Sequence, residues 1–301
     1  IGITPGDMAE AMKAELSQVE LSAGTSSFIE GIAFENGDTK MTGAGLYVDQ
    51  AYFDIFSVDF VEGNPSQIMT GINSLAISET MATKLFGSPK EALGKSVKWQ
   101  VFDYHNDVEV TGVYKDFGSM EVDKPDYFLS FSYFKQMLGE GVHWGNFNAS
   151  TYVLLRPDTD VAAFNEQIAG FIKAKDEGSN VSAFVQPYGD TYLYGTYEDG
   201  KIAGGRISYV KLFSAIAIFI LIIACINFMN LTTARSMSRL KEIGVKKSMG
   251  ASRGGLFGQF MVESLLLTFM ALVLAIVATY VLQPFSIRLL PKHSACHFSL
   301  S

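Results

Sequence analysis

Few residues in this chain have the types and spacing for catalysis. The stretch GSPKEALGKS, Gly87–Ser96, has the composition of a loop that wraps phosphates in backbone N–H groups and sets a lysine on their outer oxygens. Its spacing is wrong: six residues separate Gly87 from Gly94, where that loop needs four. The flanking pattern reads helix, turn, strand, the reverse of the required order, so the stretch reads as a turn before a strand and any ATP chemistry belongs to another chain. His293, Cys296 and His297 are soft-ligand types at short spacing, but they sit in a short tail with no fourth partner for a tetrahedral metal. His105 and His143 are isolated, and Asp158 and Asp160 read as a helix start. There is no HExxH, no GxSxG and no framed pair of carboxylates. Cys225 and Cys296 make neither a CxxC pair nor a disulfide framework. The sequence therefore gives no catalytic, cofactor-binding or metal-binding residue, and the chain is not read as an enzyme.

The densest chemistry is charge. SMSRLKEIGVKKSMGASR, Ser236–Arg253, holds Arg239, Lys241, Lys246, Lys247 and Arg253 against Glu242, with Arg235 just upstream. The 301-residue chain is acidic, with a formal net charge of -8. Residues 1–206 carry a net of −15 and residues 207–301 a net of +7. That split places the two parts in different surroundings. An acidic 1–206 part, with positive charge gathered in one short stretch, gives no surface for nucleic acid.

Apolar runs flank the basic stretch. Leu212–Leu231 has no charged residue, and Ser264–Phe285 follows Glu263 and is broken only by Pro284. A twenty-residue helix is about 30 Å long, the thickness of the hydrocarbon core. Both runs read as transmembrane helices, about 212–231 and 264–285, joined by a loop of roughly thirty residues. Loops rich in lysine and arginine stay in the cytoplasm, so residues 1–206 lie outside. Asn227 and Asn230 read as facing a neighbouring helix or the headgroups. Glu263, at the membrane interface, reads as snorkelling to water or pairing with a cation.

At 100° per residue, Arg235, Arg239, Glu242 and Lys246 form one stripe, with Met237, Leu240 and Gly244 opposite and Ile243 beside them. Lys247 departs from the pattern. The stretch reads as an amphipathic helix, about 234–250, ended by Gly250, with Ser252 capping the next helix. Such a helix either lies on anionic lipid or is presented to a cytoplasmic partner, and periodicity does not choose between them.

The elements ACINFMNL, AR…R.KEIGV.K..GAS and QF..ESLLL resemble the FtsX/MacB-type permease family of ABC transporters. Upstream, LYVDQAYFDIFSVDFVEGNP, SLAISETMATKLFG, ALGKSV and VEVTGVYKDF resemble the MacB-like periplasmic core domain of the same proteins. The resemblance implies four transmembrane helices in the order span, outer domain, three spans. Leu212–Leu231 would be the second and Ser264–Phe285 the third, with the first and fourth outside this sequence. It also implies that the basic segment is a coupling helix docking on an ATPase, through Arg235, Arg239, Leu240, Glu242, Ile243, Gly244, Lys246, Lys247 and Gly250.

The expected fold is an α+β extracytoplasmic domain, residues 1–206, followed by an all-α transmembrane hairpin within a permease segment, residues 207–291, and an atypical tail, 292–301. In the outer domain, strands are expected at Ser74–Ser78, Val108–Asp116, Tyr127–Phe131, Thr151–Arg156 and Val181–Tyr188. Helices are expected from Ser78 to Phe86, ended by Gly87, and over Asp160–Lys175.

The function implied is that of a permease subunit of the bacterial inner membrane. A separate cytoplasmic ABC-type ATPase would drive movement of its periplasmic domain, for export or efflux. Its other expected partners are membrane lipid, a second copy or paired permease, and a periplasmic adaptor. Two alternatives stay open: an FtsX-like subunit that activates cell-wall hydrolases, and a membrane-anchored sensory receptor. The transported substrate is not legible.

Overall fold

A computed structural model describes residues 2–101, 104–118, 124–198 and 201–289. The chain forms two units, Ile1–Ile207 and Ser208–Ser301. In the first, β1 (Thr4–Pro5) and α1 (Met8–Glu15) precede β2 (Val19–Thr25), β3 (Ile29–Asn36) and β4 (Thr39–Val48). Next come α2 (Ala51–Phe56), β5 (Phe60–Gly63), β6 (Ser74–Ser78), α3 (Glu79–Phe86), α4 (Pro89–Ala92), β7 (Ser96–Val101) and β8 (Tyr104–Tyr114). Then follow β9 (Tyr127–Ser130), α5 (Phe131–Leu138), β10 (Phe147–Leu155), α6 (Val161–Ile168) and α7 (Phe171–Lys175), with the small hairpin β11 (Thr196–Glu198) and β12 (Lys201–Gly204). Two long helices complete the described chain, α8 (Arg206–Ser248) and α9 (Arg253–Leu289).

Six strands pair in a closed circuit. β4 takes β3 antiparallel on one edge and β9 parallel on the other. The circuit returns through β6, β8 and β7 to β3. Gly45 makes the closure possible, because a Cβ there would fall 2.1 Å from the Tyr127 carbonyl oxygen. Side chains such as Phe34, Tyr47, Trp99 and Tyr127 fill the interior, and Met81, Leu85 and Phe131 from α3 and α5 pack against them. A second apolar cluster joins Met8 and Met12 of α1 to Phe164 and Ile168 of α6 over β2 and β10. A third surrounds Phe53 of α2, Tyr114 and Phe128.

The segment Ser74–Gly87 shows sequence setting local structure. All five residues of β6 are buried. The Ser78 hydroxyl accepts the Met81 N–H at 3.1 Å, and Gly87, at φ 91°, ends α3. After Gly87, Ser88 caps α4, a turn follows, and β7 begins at Ser96, so Gly87–Ser96 is a connection between elements.

Two expectations are corrected. The helix expected over Asp160–Lys175 is two helices, interrupted at Ala169–Gly170, although Phe164, Ile168 and Ile172 still share one buried cluster. Asp160 does cap the first, accepting from the N–H groups of Ala162 and Ala163. The strand expected at Val181–Tyr188 does not form. Its neighbour is helical, so it pairs with side-chain and helix-end groups instead. The Ala183 N–H donates to the Ala169 carbonyl, and the Asn165 carboxamide brackets Val185, accepting its N–H at 2.7 Å and donating to its carbonyl at 3.1 Å. Strands β8 and β10 begin earlier than expected, at Tyr104 and Phe147, and Phe131 opens α5 rather than closing β9.

Candidate functional site: the tip of the long-helix pair

The apolar stretches of the two long helices run over Arg206–Ala234 and Arg253–Leu282. Their side chains lie open, Phe219 at 66% and Leu274 at 67% exposure, as helices that face lipid or further helices must. No charged residue interrupts α8 between Lys211 and Arg235.

The separate amphipathic helix expected at 234–250 is the last part of α8, which runs unbroken from Arg206 to Ser248. Its sequence holds neither proline nor, before Gly244, glycine. The hydroxyls of Thr232 and Thr233 donate to the carbonyls of Phe228 and Met229 one turn back, so they satisfy themselves without opening the ladder. Fourteen residues extend past Ala234, about 21 Å of helix. The headgroup layer on one side is only about 5–8 Å deep.

The end is sharply made. Gly250 at φ 92° donates its N–H to the Lys247 carbonyl, and the Ala251 N–H reaches the Lys246 carbonyl, a Schellman stop. The Ser252 hydroxyl accepts the Gly255 N–H at 3.1 Å and starts α9. The Lys246 ammonium donates to Glu242 at 2.7 Å and to Gln259 of α9 at 3.3 Å. It therefore stitches the two helix ends together and is not a free cation. Lys247, Gly244 and Leu240 are exposed, and Ile243 is half-buried. Glu263 is half-buried, ten residues into α9. Arg235 and Arg239 lie in the described backbone, but their side chains are outside the described residues, as are His293, Cys296 and His297.

The tip also carries apolar residues that periodicity missed. Met249 is 81% exposed and Phe257 69%. Met249 follows the last helical residue, so a helical wheel gives it no place. Its signal was its position next to the stop glycine. The arrangement offers a stiff projection with an apolar end and adjoining cations. Among the described residues no group of histidine, cysteine and carboxylate side chains could hold a metal.

Comparison with known proteins gives two family matches. Residues 2–171 match the model of the MacB-like periplasmic core domain, and residues 214–300 match the FtsX-like permease C-terminal model. The chain is 25% identical over 266 residues to the ABC transporter permease YknZ of Bacillus subtilis, covering 86% of this chain and 57% of that one. It is 22% identical over 238 residues to the macrolide export ATP-binding/permease protein MacB of Neisseria gonorrhoeae, covering 76% of this chain and 34% of MacB. It thus spans little more than half of the first relative and about a third of the second. A crystallised domain assigned to a permease protein of Porphyromonas gingivalis shares the outer fold, with a TM-score of 0.52 and 21% identity over 62% of this chain and 88% of that domain.

Proposed function

The chain belongs to the family of MacB-like periplasmic core domains, joined to an FtsX-like permease segment, and from that premise we propose that it transmits force for an ABC transporter. A separate cytoplasmic ATPase binds the tip formed by the end of α8, the Gly250 turn and the start of α9. ATP-driven movement of that tip travels along α8 to the periplasmic domain, which acts on an exported molecule. The cations of the tip hold it in the cytoplasm of a bacterial inner membrane, and residues 1–206 lie in the periplasm.

The observation that carries this reading is the continuity of α8 through the basic stretch. A helix lying on anionic lipid must turn at the membrane surface, and α8 has no break at which to turn. A straight continuation sets Met249 beyond the headgroups, where a protein partner is what can cover it. Leu240, Gly244 and Met249 supply contact, Lys247 with Arg235 and Arg239 meets acids on the partner, and the Lys246 bridge to Glu242 and Gln259 fixes the shape.

Replacing Leu240 and Ile243 together by asparagine in the full-length protein tests this. All cations remain, so insertion should survive. Two lost apolar anchors, each commonly worth about 1–4 kcal/mol, should take a micromolar contact beyond detection. Loss of ATPase co-purification is expected, and normal ATPase binding and coupling would overturn the assignment.

A further inference from the structure

Residues 188–195 and 204–207, on the way from the outer domain to α8, are closely packed against one another. Gly205 stands at φ 137°, and a Cβ there would lie 2.5 Å from the Leu193 carbonyl oxygen and 2.8 Å from the Gly195 nitrogen. The Ile207 N–H donates to that same Leu193 carbonyl at 3.1 Å, and the Arg206 guanidinium lies 4.3 Å over the Tyr192 ring. The first residues of α8 are thus held to the turn at 188–194. That turn holds itself, with the N–H groups of Thr191 and Tyr194 donating to the carbonyls of Tyr188 and Asp190. The Gln186 carboxamide also donates to the Thr191 hydroxyl.

The turn ends on a ring. Tyr188 lies 5.0 Å from Phe56 of α2 and 5.8 Å from Tyr152 of β10, both at 73°. Phe56 and Tyr152 meet edge to face at 5.1 Å. From there Tyr52, 4.5 Å from Phe56, reaches Phe128 in β9 of the strand circuit at 5.5 Å. This ring cluster lies where α2 meets β10, so it touches both the closed circuit and the layer built on β2 and β10.

We infer that Tyr188 is a positioning residue, the joint at which movement of α8 is handed to the outer domain. This rests on the reading of the chain as a force transmitter. Three features fit a joint better than a core contact. The Tyr188 ring is 64% exposed, so the fold does not depend on burying it. Its partners are ring faces and edges, so the contact can tilt without breaking a directed bond. Leu193 and Tyr192, in the same turn, contact Gly205, Arg206 and Ile207, where α8 begins.

The test uses the full-length protein with its ATPase in nanodiscs, following hydrogen exchange with and without MgATP. In the wild type, peptides covering α2 and β10 should change their exchange when MgATP is added. Tyr188→Ser should abolish that change while the ATPase still co-purifies and the melting temperature stays put. Tyr188→Phe keeps the ring and should restore the change, which a purely structural role for the hydroxyl would not do. An MgATP response in α2 and β10 that persists in Tyr188→Ser overturns the joint alone. A wild type that binds no ATPase overturns the transmitter reading and the joint with it.

Discussion

Breaking α8 at the membrane edge should separate charge from stiffness. Ala234→Pro leaves every cation and every apolar residue of the tip in place. It removes one ladder hydrogen bond and drives the ring into the carbonyl four residues back, at a cost of about 3 kcal/mol in a helix interior. The helix need not unfold, because a kink relieves the clash. The stretch from Ala234 to Ser248 is about 21 Å long, so a kink of about 25° moves its end by about 9 Å. That exceeds the reach of any side chain at the tip. Ala234→Leu, a good helix former, is the control. In full-length protein reconstituted with its ATPase, Ala234→Pro should insert normally, lose most transport-coupled ATP hydrolysis and retain weakened ATPase binding. Coupling at the wild-type level in Ala234→Pro would refute the idea that α8 acts as one rod.

Other expected outcomes concern the outer domain. Gly45→Ala should prevent closure of the strand circuit, because its Cβ runs into the Tyr127 carbonyl oxygen, a backbone atom that cannot swing aside, and near-ultraviolet dichroism should report the loss of packing. Asn165→Ala removes both bonds to Val185 and strands its N–H and carbonyl. A loss of about 2 kcal/mol is expected, with faster amide exchange confined to 181–187. Burial pushes the Asp49 carboxyl above its ordinary range, against the Gly24 N–H and Lys135, which pull it down, while Glu10 adds to the rise. Its stability contribution is therefore complete below the ordinary carboxylate value and declines as pH rises through the raised one. Melts between about pH 4 and 8 should show Asp49→Asn gaining stability toward neutral pH and flattening this part of the profile.

What was legible in the sequence followed from local chemistry. Ser78 and Gly87 bracket α3 because a cap and a left-handed stop act within a few residues. The two apolar helices declared themselves by length and lack of charge. The strand circuit was hidden because it depends on β4 using both edges, and Gly45 reveals that need only when Tyr127, far along the chain, is brought against it. Val181–Tyr188 alternates like a strand, but it lies against α6, and the Asn165 side chain takes the bonds of Val185 that a strand partner would have taken. The basic stretch was readable as helix. Its continuity with the preceding span was not, since periodicity shows a face but not a join. Tyr188 gave no sequence signal, because its role comes from Phe56 and Tyr152, which lie far from it in sequence.

The tip of α8 and α9 is proposed to meet a protein and not lipid. A photocrosslinking residue at position 249 of the full-length protein, in native membranes, tests it most directly. A crosslink to the ABC-type ATPase whose yield changes with ATP is expected, and none to that ATPase from position 209, near the opposite end of α8. Crosslinks from position 249 to phospholipid alone would contradict it.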